Sequence, residues 1–363
     1  MTDHEATGLL EAADAVAKLA GERAAEAEAA RRLPEDVVAA ILDAGFARHF
    51  VPRGHGGAEA AFTELRRALA TVGESCASAS WCALIVATSG RMAAYLPAEG
   101  QAEVWREGPD AAISAALVPS GTAEETSGGW RLSGEWHFLS GVDFSDWALL
   151  CAPAPDGPRF FAVPRGDYRI RNTWFTLGMR GTGSNTVVAD GVLVPRHRAV
   201  PQGAVFRGHS EHSAAPCHQT PLAAVAGALF AAPALGSATA MLRAWTAQQT
   251  AKGPGLPPPA QLELARSSAE LDAALLLTER ATAIADLGRV APATAARNAR
   301  DASLAAQLVR AAAARLFESG GSQAQRDDSD LQRHWRDVQS ATSHAALRFE
   351  RTSGPYAQSL GAG

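Results

Sequence analysis

The sequence predicts an α+β fold in which a β-rich middle separates two helical regions. Residues 5–105 carry a succession of apolar patterns with helical spacing, and such patterns return after Pro221. Between them, short β-branched or aromatic runs alternate with Gly, Pro and Asp, which is typical of antiparallel strands. We therefore divide the 363 residues into an N-terminal helical domain (1–110), a central β-domain (111–205) and a C-terminal four-helix bundle (206–363).

The N-terminal domain is predicted to be helical along most of its length. Residues 5–31 are rich in Ala, Glu and Leu at helical spacing. Pro34 fits the start of a second helix, and Gly45 fits its end. Further helical patterns occupy residues 62–72, 80–96 and 101–105, and the second of these is apolar almost all round, which indicates burial.

The central domain is predicted to be a small antiparallel β-barrel or sandwich, because six short strands follow one another with turn residues between them. The bundle is predicted from three breaks that leave four long helices with short links. The predicted strands are residues 111–117, 129–140, 147–152, 159–163, 168–174 and 186–195, and the predicted breaks are residues 253–259, 287–292 and 319–328.

Composition excludes several classes of protein. A net charge of −5 and a pI of about 6.1 argue against a nucleic-acid or anionic-membrane partner. The four cysteines form no CxxC pair, so neither a disulfide framework nor a metal site is expected. The first residues lack the segments of a signal peptide, and no run of 18 uncharged apolar residues occurs. We expect a soluble, cytoplasmic protein.

Residues 136–147 combine two tryptophans with a Ser-Gly corner. Trp136 and Trp147 would suit the aromatic walls of a pocket for a flat, polar-edged ligand such as an isoalloxazine ring, with Ser140 as its hydrogen-bonding hydroxyl. A strand with large cross-strand partners and a Ser-Gly turn explains the same pattern equally well. The sequence leaves these two interpretations open.

Two glycine-rich segments also have alternative explanations. Residues 178–185 are followed by a predicted strand and lack the Gly-Lys-Ser/Thr of a P-loop, which favours a tight bend. Arg180 and Ser184 of this bend are candidates to reach a cofactor or a neighbouring subunit. Residues 319–322 would suit phosphate binding through free backbone amides, or would simply end a helix.

Two groups of histidines invite a functional interpretation. His209, His212, Cys217 and His218 are the densest cluster of potential metal ligands, but their irregular spacing favours a polar surface or lid loop over a zinc site. In the last predicted helix, Arg333, Asp337, Ser340 and His344 follow the spacing i, i+4, i+7 and i+11 and so share one stripe. That stripe is either a solvated face or a catalytic one.

The ordered set of motifs resembles the flavin-dependent monooxygenases with the acyl-CoA dehydrogenase fold, in their branch of natural-product, aromatic polyketide hydroxylases. The resemblance covers nearly the whole chain and implies that fold for it. Besides the helix–β–bundle order, it rests on residues 136–141, 178–184, 194–195, 319–322 and 332–337, and on His344.

The resemblance implies roles for particular residues. Ser140 matches the serine that hydrogen-bonds near the reactive nitrogen of the flavin and stabilises the flavin hydroperoxide. His344 matches the histidine that faces the substrate, either as general base or as the group that orients a phenol. Ser89 stands where many phenol hydroxylases of this group have a second histidine, so His344 acts alone or the substrate is itself acidic. Further residues implied in the flavin pocket are Trp81, Ser114, Phe138, Gly141, Gly320, Gly321 and Ser322.

The implied activity is a two-component monooxygenase that uses O2 and reduced FMN, with FAD as the alternative. Its expected substrate is a phenolic, polyketide-derived aromatic compound. A separate flavin reductase and a homotetramer are also implied. Three alternatives stay open: N-hydroxylation of an amino sugar, an acyl-CoA dehydrogenase or oxidase, and a non-catalytic helical scaffold. The dehydrogenase needs a carboxylate base, and the final bundle helices offer no Glu in a matching position.

Overall fold

The computed structural model describes residues 8–251 and 253–361, so the first residues of the first predicted helix and the N-terminal segment compared with signal peptides lie outside the described residues. Six helices come first, as the helical patterns predict, with the first pattern divided in two at Arg23. They are α1 (Leu9–Glu22), α2 (Ala24–Ala30), α3 (Glu35–Asp43), α4 (Phe62–Ser75), α5 (Ala77–Ala93) and α6 (Ala98–Val104).

The β-domain is a sandwich of two four-stranded sheets, with strand orders β1-β4-β5-β8 and β2-β3-β7-β6. Adjacent strands are antiparallel except β1 and β4, which run parallel. The strands are β1 (Ile113–Ala116), β2 (Thr122–Thr126), β3 (Gly129–Leu139), β4 (Trp147–Ala152), β5 (Arg159–Pro164), β6 (Arg169–Arg171), β7 (Asn185–Pro195) and β8 (Ala199–Pro201). The six predicted strands are present, whereas β2 and β8 were not predicted.

The C-terminal region contains three long helices and several shorter ones, with links at the three predicted breaks. The helical region also extends beyond the predicted fourth helix, because a further helix starts at Phe349. The helices are α7 (Gln202–Arg207), α8 (Leu222–Thr250), α9 (Pro258–Ala285), α10 (Pro292–Ser319), α11 (Asp330–Ala341) and α12 (Phe349–Gly361).

Helix α8 is the centre of a core that joins the two helical regions. Val72 of α4, Leu229 of α8 and Val309 of α10 belong to one buried apolar cluster. By length and composition alone α8 is apolar enough to cross a membrane, but 78% of its most apolar window is buried inside the protein. Its uniform apolarity therefore fits a helix that is surrounded by other helices. The β-sandwich has a separate core, around Trp136 and Phe161.

Candidate active site

A chain of hydrogen-bonded side chains lies where strand β3 ends. The hydroxyl of Ser140 accepts a hydrogen bond from Nε1 of Trp81, on helix α5, at 3.0 Å. Ser140 Oγ lies 2.7 Å from Ser184 Oγ, which in turn lies 2.7 Å from Thr182 Oγ1. Thr182 donates to the carbonyl oxygen of Met179 at 2.8 Å. We call Ser140, Ser184 and Thr182 the hydroxyl chain; all three are buried.

The backbone turns sharply around Ser140. Just before it, the pairing of β3 with β7 shifts register, and Phe138 adopts a φ of 65°. Just after it, Gly141 has a φ of 71°, and a Cβ there would lie 2.8 Å from Cζ of Phe144. This turn buries the Ser140 side chain and leaves Phe138 73% exposed. A strained, exposed aromatic residue beside a buried hydroxyl is a feature typical of functional sites.

Ser114 supports this turn from strand β1. Its hydroxyl donates to the carbonyl oxygen of Ser140 at 2.8 Å and lies 2.6 Å from Ser145 Oγ. Ser145 also donates to the carbonyl oxygen of Gly141 at 2.9 Å. The structure therefore brings Trp81, Ser114, Ser140 and Gly141 together, with Ser114 holding the backbone of the turn.

His344 lies beside Trp81, but it is not on helix α11. That helix ends at Ala341, and His344 begins the short 3₁₀ turn that follows it. The prediction of one helical stripe through Arg333, Asp337, Ser340 and His344 is therefore wrong, because the chain leaves the helix before it reaches the histidine.

The ring of His344 is enclosed by aromatic side chains. It stacks on Phe230 of α8, with ring centroids 4.1 Å apart and planes inclined at 22°, and meets Trp81 edge to face at 5.5 Å. Burial, with a smaller effect of Arg351, lowers the pKa of His344 from 6.5 to about 4. The imidazole is therefore neutral at pH 7. Sequence reasoning missed Phe230, although it is the single aromatic residue in the Ala-rich stretch 221–241.

The backbone around His344 also selects its tautomer. The amide of Ala346 donates to Nδ1 of His344 at 3.3 Å. A neutral imidazole whose Nδ1 accepts a hydrogen bond carries its proton on Nε2. The remaining ring nitrogen of His344 is thus a hydrogen-bond donor, which is the property needed to orient a phenol or to stabilise a phenolate.

An apolar cavity lined in part by Phe230 lies between helices α5 and α8. The space between its wall atoms, with the open solvent at its mouth included, is about 490 Å³. Apolar side chains form most of its wall, and the polar members are Thr88, Ser89 and Arg91. Arg91 is already engaged, because its guanidinium donates to the carbonyl oxygens of Cys217 and Thr220.

The glycine-rich loop that carries Thr182 and Ser184 is fastened to helix α11. The amide of Met179 donates to Asp337 Oδ1 at 2.6 Å, and the amide of Gly178 donates to Ser340 Oγ at 3.0 Å. Asp337 and Ser340 thus bind the backbone of this loop. Burial raises the pKa of Asp337 from 3.8 to about 6, in spite of the hydrogen bond from Met179.

Arg180, the other candidate of this loop, does not reach the hydroxyl chain. Its guanidinium pairs with Glu28 at 3.5 Å and donates to the carbonyl oxygen of Thr176 at 3.0 Å. Ser184 does belong to the hydroxyl chain. Thr182, which lies between Arg180 and Ser184 in the sequence, was not among the predicted site residues. The Gly-Thr-Gly-Ser spacing that drew attention to Ser184 was the available signal for Thr182 as well.

The two tryptophans of residues 136–147 do not form pocket walls. Trp136 is 1% exposed in the sandwich core, where its Nε1 donates to the carbonyl oxygen of Cys151 at 2.6 Å. Trp147 packs under the guanidinium of Arg198, 5.2 Å from its ring centroid. For these two residues the structural interpretation holds, and the aromatic surface near Ser140 consists of other side chains.

The histidine-rich segment is a tightly anchored loop. His218 is fully buried, and its Nε2 lies 2.7 Å from the carbonyl oxygen of Phe50. His209 Nδ1 lies 2.8 Å from Gln219 Oε1. Burial lowers the pKa of His218 to about 4. Within residues 8–251 and 253–361, no group of three His, Cys, Asp or Glu side chains is arranged to hold a metal ion.

Gly320, Gly321 and Ser322 lie far from Ser140 in this chain. Gly320 ends α10 and accepts a hydrogen bond from Gln248 of α8 at 3.3 Å, while Gly321 and Ser322 are exposed. Gln248 is eighteen residues after Phe230 on the same helix, a separation of about 27 Å at 1.5 Å per residue. One chain therefore does not bring this turn to the hydroxyl chain.

The fold and the site define the class of protein. Helices, a β-sandwich and a helical bundle in this order, with an aromatic and hydroxyl-lined site between them, are the acyl-CoA dehydrogenase architecture, and residues 228–349 match the family model "Acyl-CoA dehydrogenase, C-terminal domain".

Comparison with known proteins narrows this class. The chain is 32% identical to the flavin-dependent monooxygenase oxygenase subunit HsaA of Rhodococcus jostii (strain RHA1), over 93% of this chain and 94% of that protein. It is 31% identical to the FADH(2)-dependent resorcinol hydroxylase oxygenase component of Rhizobium sp. (strain MTP-10005), over 95% and 92%. The structure of XiaF from Streptomyces sp. in complex with FADH2 and glycerol superposes with a TM-score of 0.90 at 28% identity, covering 97% and 94%. The chain belongs to the flavin-dependent monooxygenases, as an oxygenase component.

The residues at the site fit a flavin. The exposed ring of Phe138 and the half-buried ring of Trp174 lie with centroids 6.1 Å apart beside the turn that holds Ser140. An exposed phenyl ring on a backbone with positive φ gains little from the packing that is present, whereas a flat ring laid against it would bury it. The expected enzyme class is thus matched by a surface that suits the cofactor.

Asp337 should make stability fall as pH rises. Because its folded-state pKa of about 6 exceeds the ordinary 3.8, the native protein retains a proton between pH 4 and 6 that the unfolded chain has released. The free energy of unfolding, relative to Asp337→Asn, should therefore drop by on the order of 2–3 kcal/mol between pH 4 and 7. Urea unfolding at four pH values measures this difference. A rising difference for Asp337→Asn would contradict the assignment.

Proposed function

We propose that this chain hydroxylates an apolar, phenolic aromatic compound with O2 and a reduced flavin. The observation that carries the proposal is the position of Phe230. Its ring stacks on His344, lies 5.2 Å from the ring of Trp81, which donates to Ser140, and also lines the apolar cavity. A ring bound in that cavity would contact Phe230, and through it would lie close to the His344 donor and to the Trp81 side of the proposed flavin site.

The flavin is proposed to lie against Phe138, Trp174 and the Ser140 turn. The exposed Phe138 ring would cover one part of the ring system, and the Ser140 hydroxyl would meet its polar edge. When bound, the reduced flavin supplies the electrons that activate O2. The chain's own contribution is to hold the flavin edge, to exclude water with buried aromatic side chains, and to orient the substrate.

The polarity of the cavity weighs against the alternative substrate on the same scaffold. An amino sugar carries many hydroxyl groups and an ammonium, and burying them without partners costs several kcal/mol. The cavity wall includes no carboxylate, and its Arg91 is occupied by backbone carbonyls. The apolar character of these walls matches an aromatic ring with one or two hydroxyl groups, and a polycyclic, polyketide-derived phenol is the substrate we propose within that class.

The identity of the flavin is proposed from the relatives. FMN is expected from the sequence, where no additional nucleotide-binding motif is present, with FAD as the alternative. The resorcinol hydroxylase component is named FADH(2)-dependent, and XiaF was solved with FADH2. These names support FAD for this chain, so both flavins belong in every assay.

The function is tested by supplying the protein with reduced flavin and air. We expect hydroxylated product from polycyclic phenols, with less hydrogen peroxide released per flavin oxidised than without substrate. Amino sugars should yield no hydroxylamine, and simple phenols test how far size matters. NADH with oxidised flavin should give no turnover until a flavin reductase is added. Product from amino sugars alone would overturn the proposed substrate class.

His344 is proposed to donate a hydrogen bond from Nε2 to the phenolic oxygen. His344→Phe keeps the ring stacked on Phe230 without a donor, and His344→Gln keeps an N–H close to the same place. We expect the phenylalanine variant to slow hydroxylation by roughly ten- to a hundredfold, the value of one hydrogen bond to a charged oxygen, and the glutamine variant to be less affected.

The pH profile separates this role from that of a general base. Since the pKa of His344 is about 4, the rate should follow the ionisation of the phenol itself between pH 6 and 8. Single-turnover rates with reduced flavin measure it, and reduced-flavin affinity should be equal in all three proteins. An inflection near pH 6.5 that disappears in His344→Phe would contradict the donor role.

We propose a homotetramer in a reducing, cytoplasmic setting. Two observations support the assembly: the Gly320–Ser322 turn is too remote to serve the flavin of its own chain, and Leu262, Leu276 and Leu287 are exposed around α9. Sedimentation should give four times the mass of one chain. A monomer that binds reduced flavin as tightly as the tetramer does would contradict the assembly.

The proposed reducing compartment is supported by the cysteines. All four are unpaired and buried, which suits such a compartment.

A further inference from the structure

Counting protons along the hydroxyl chain fixes the direction of each of its hydrogen bonds. The Thr182 hydroxyl lies 2.8 Å from the Met179 carbonyl oxygen, which has no proton, so the Thr182 proton lies between them. Thr182 therefore accepts the proton of Ser184, 2.7 Å away. Ser184 has then used its proton and accepts that of Ser140, also 2.7 Å away. Three oxygen–oxygen contacts use the three hydroxyl protons.

The same count shows which further hydrogen bond the Ser140 hydroxyl can make. Its hydroxyl has one proton and two lone pairs. The proton goes to Ser184, and one lone pair accepts the Trp81 indole N–H at 3.0 Å. A single lone pair remains, so Ser140 presents an acceptor, and no donor, to a group that approaches it.

We propose that Thr182 and Ser184 are positioning residues that make the site select reduced over oxidised flavin, by holding Ser140 as a hydrogen-bond acceptor. This inference rests on the flavin site proposed above. Reduced flavin carries an N–H at N5, which suits an acceptor. Oxidised flavin has a bare nitrogen lone pair at N5, which an acceptor repels. The selectivity is thus set at the Met179 carbonyl, two hydroxyl groups away from Ser140.

The carbonyl at the end of the chain is well placed to impose this direction. Met179 also accepts a hydrogen bond from Trp174 Nε1 at 2.9 Å, and its amide donates to Asp337. The two peptide units on either side of the Met179 Cα are therefore both held by hydrogen bonds, which restrains the direction of the Met179 carbonyl oxygen. A hydroxyl chain that ends on a fixed acceptor has one favourable orientation, whereas a chain of hydroxyls alone would have two.

The inference is tested with four variants whose effects on direction differ. Ser184→Ala removes the acceptor of the Ser140 proton. Thr182→Val keeps the shape of the side chain but removes the end of the chain, so Ser184 donates to Ser140 and the Ser140 proton turns outward. Thr182→Ser retains the hydroxyl and is the matched control. Ser140→Ala removes the group that meets the flavin.

The measurement is the dissociation constant of each variant for oxidised and for anaerobically reduced flavin, with FAD and FMN as probes. Ser184→Ala and Thr182→Val should bind oxidised flavin roughly three- to tenfold more tightly, the value of one hydrogen bond, and reduced flavin no more tightly than wild type does. Thr182→Ser should resemble wild type. The midpoint potential of the bound flavin should fall by about 15–30 mV in the first two variants, at 30 mV per tenfold change.

The outcomes distinguish the inference from the site it rests on. If Ser140→Ala weakens reduced-flavin binding while Ser184→Ala and Thr182→Val keep the wild-type ratio of the two constants, the direction of the chain is irrelevant and the inference is overturned. If Ser140→Ala changes neither constant, the proposed flavin site at Ser140 is overturned together with it. Melting temperatures exclude unfolding as a cause, and Thr182→Val serves if Ser184→Ala does not fold.

Discussion

The contact between the glycine-rich loop and helix α11 is the constraint on which the site depends. A Cβ on Gly178 would lie 2.2 Å from the carbonyl oxygen of Arg336, so the loop can approach the helix this closely only with glycine there. Asp337 and Ser340 then take up two loop amides. The bundle thereby fixes the Met179 carbonyl, and through it the hydroxyl groups that reach Ser140 in the β-domain. Parts of the chain more than 150 residues apart thus determine the polarity of one hydroxyl.

Burial has opposite consequences at the two ends of the site. At His344, the enclosure by Phe230 and Trp81 removes water from the imidazole and keeps it neutral, which leaves it a defined donor at Nε2. At Ser140, burial leaves each hydroxyl without water as a partner, so the protein alone decides where its proton points. Helix α5 contributes Trp81 to both ends. In the proposed mechanism, the same aromatic side chains therefore orient both the His344 donor for the substrate and the Ser140 acceptor for the flavin.

The sequence was sufficient for most of the regular elements and for several site residues, and it was insufficient where long-range contacts decide. Strand β2 was missed because Thr-Ala-Glu-Glu-Thr has hardly any apolar residue, as a strand with one buried position allows. The predicted helical stripe through His344 was wrong because the sequence keeps its helical spacing beyond Ala341, where the helix ends in the structure. Asp337 was correctly singled out, but its partner, the amide of Met179, is set by tertiary packing that leaves no periodic pattern. The serine and glycine motifs located Ser140. The direction in which each hydroxyl of the hydroxyl chain donates its proton, however, follows only from the three-dimensional structure.

The turn at Ser140 also weighs against a protein that has the fold without a flavin. A non-glycine residue held at positive φ costs on the order of 1–3 kcal/mol, and glycine would serve a purely structural bulge at lower cost. Phe138 occupies this position with 73% of its surface exposed, so the ring recovers little of that cost by burial in the chain itself. A flat ligand stacked on Phe138 would recover it as buried aromatic area. The strain, the exposed ring and the single lone pair of Ser140 thus all concern the same surface, and a bound flavin accounts for the three together.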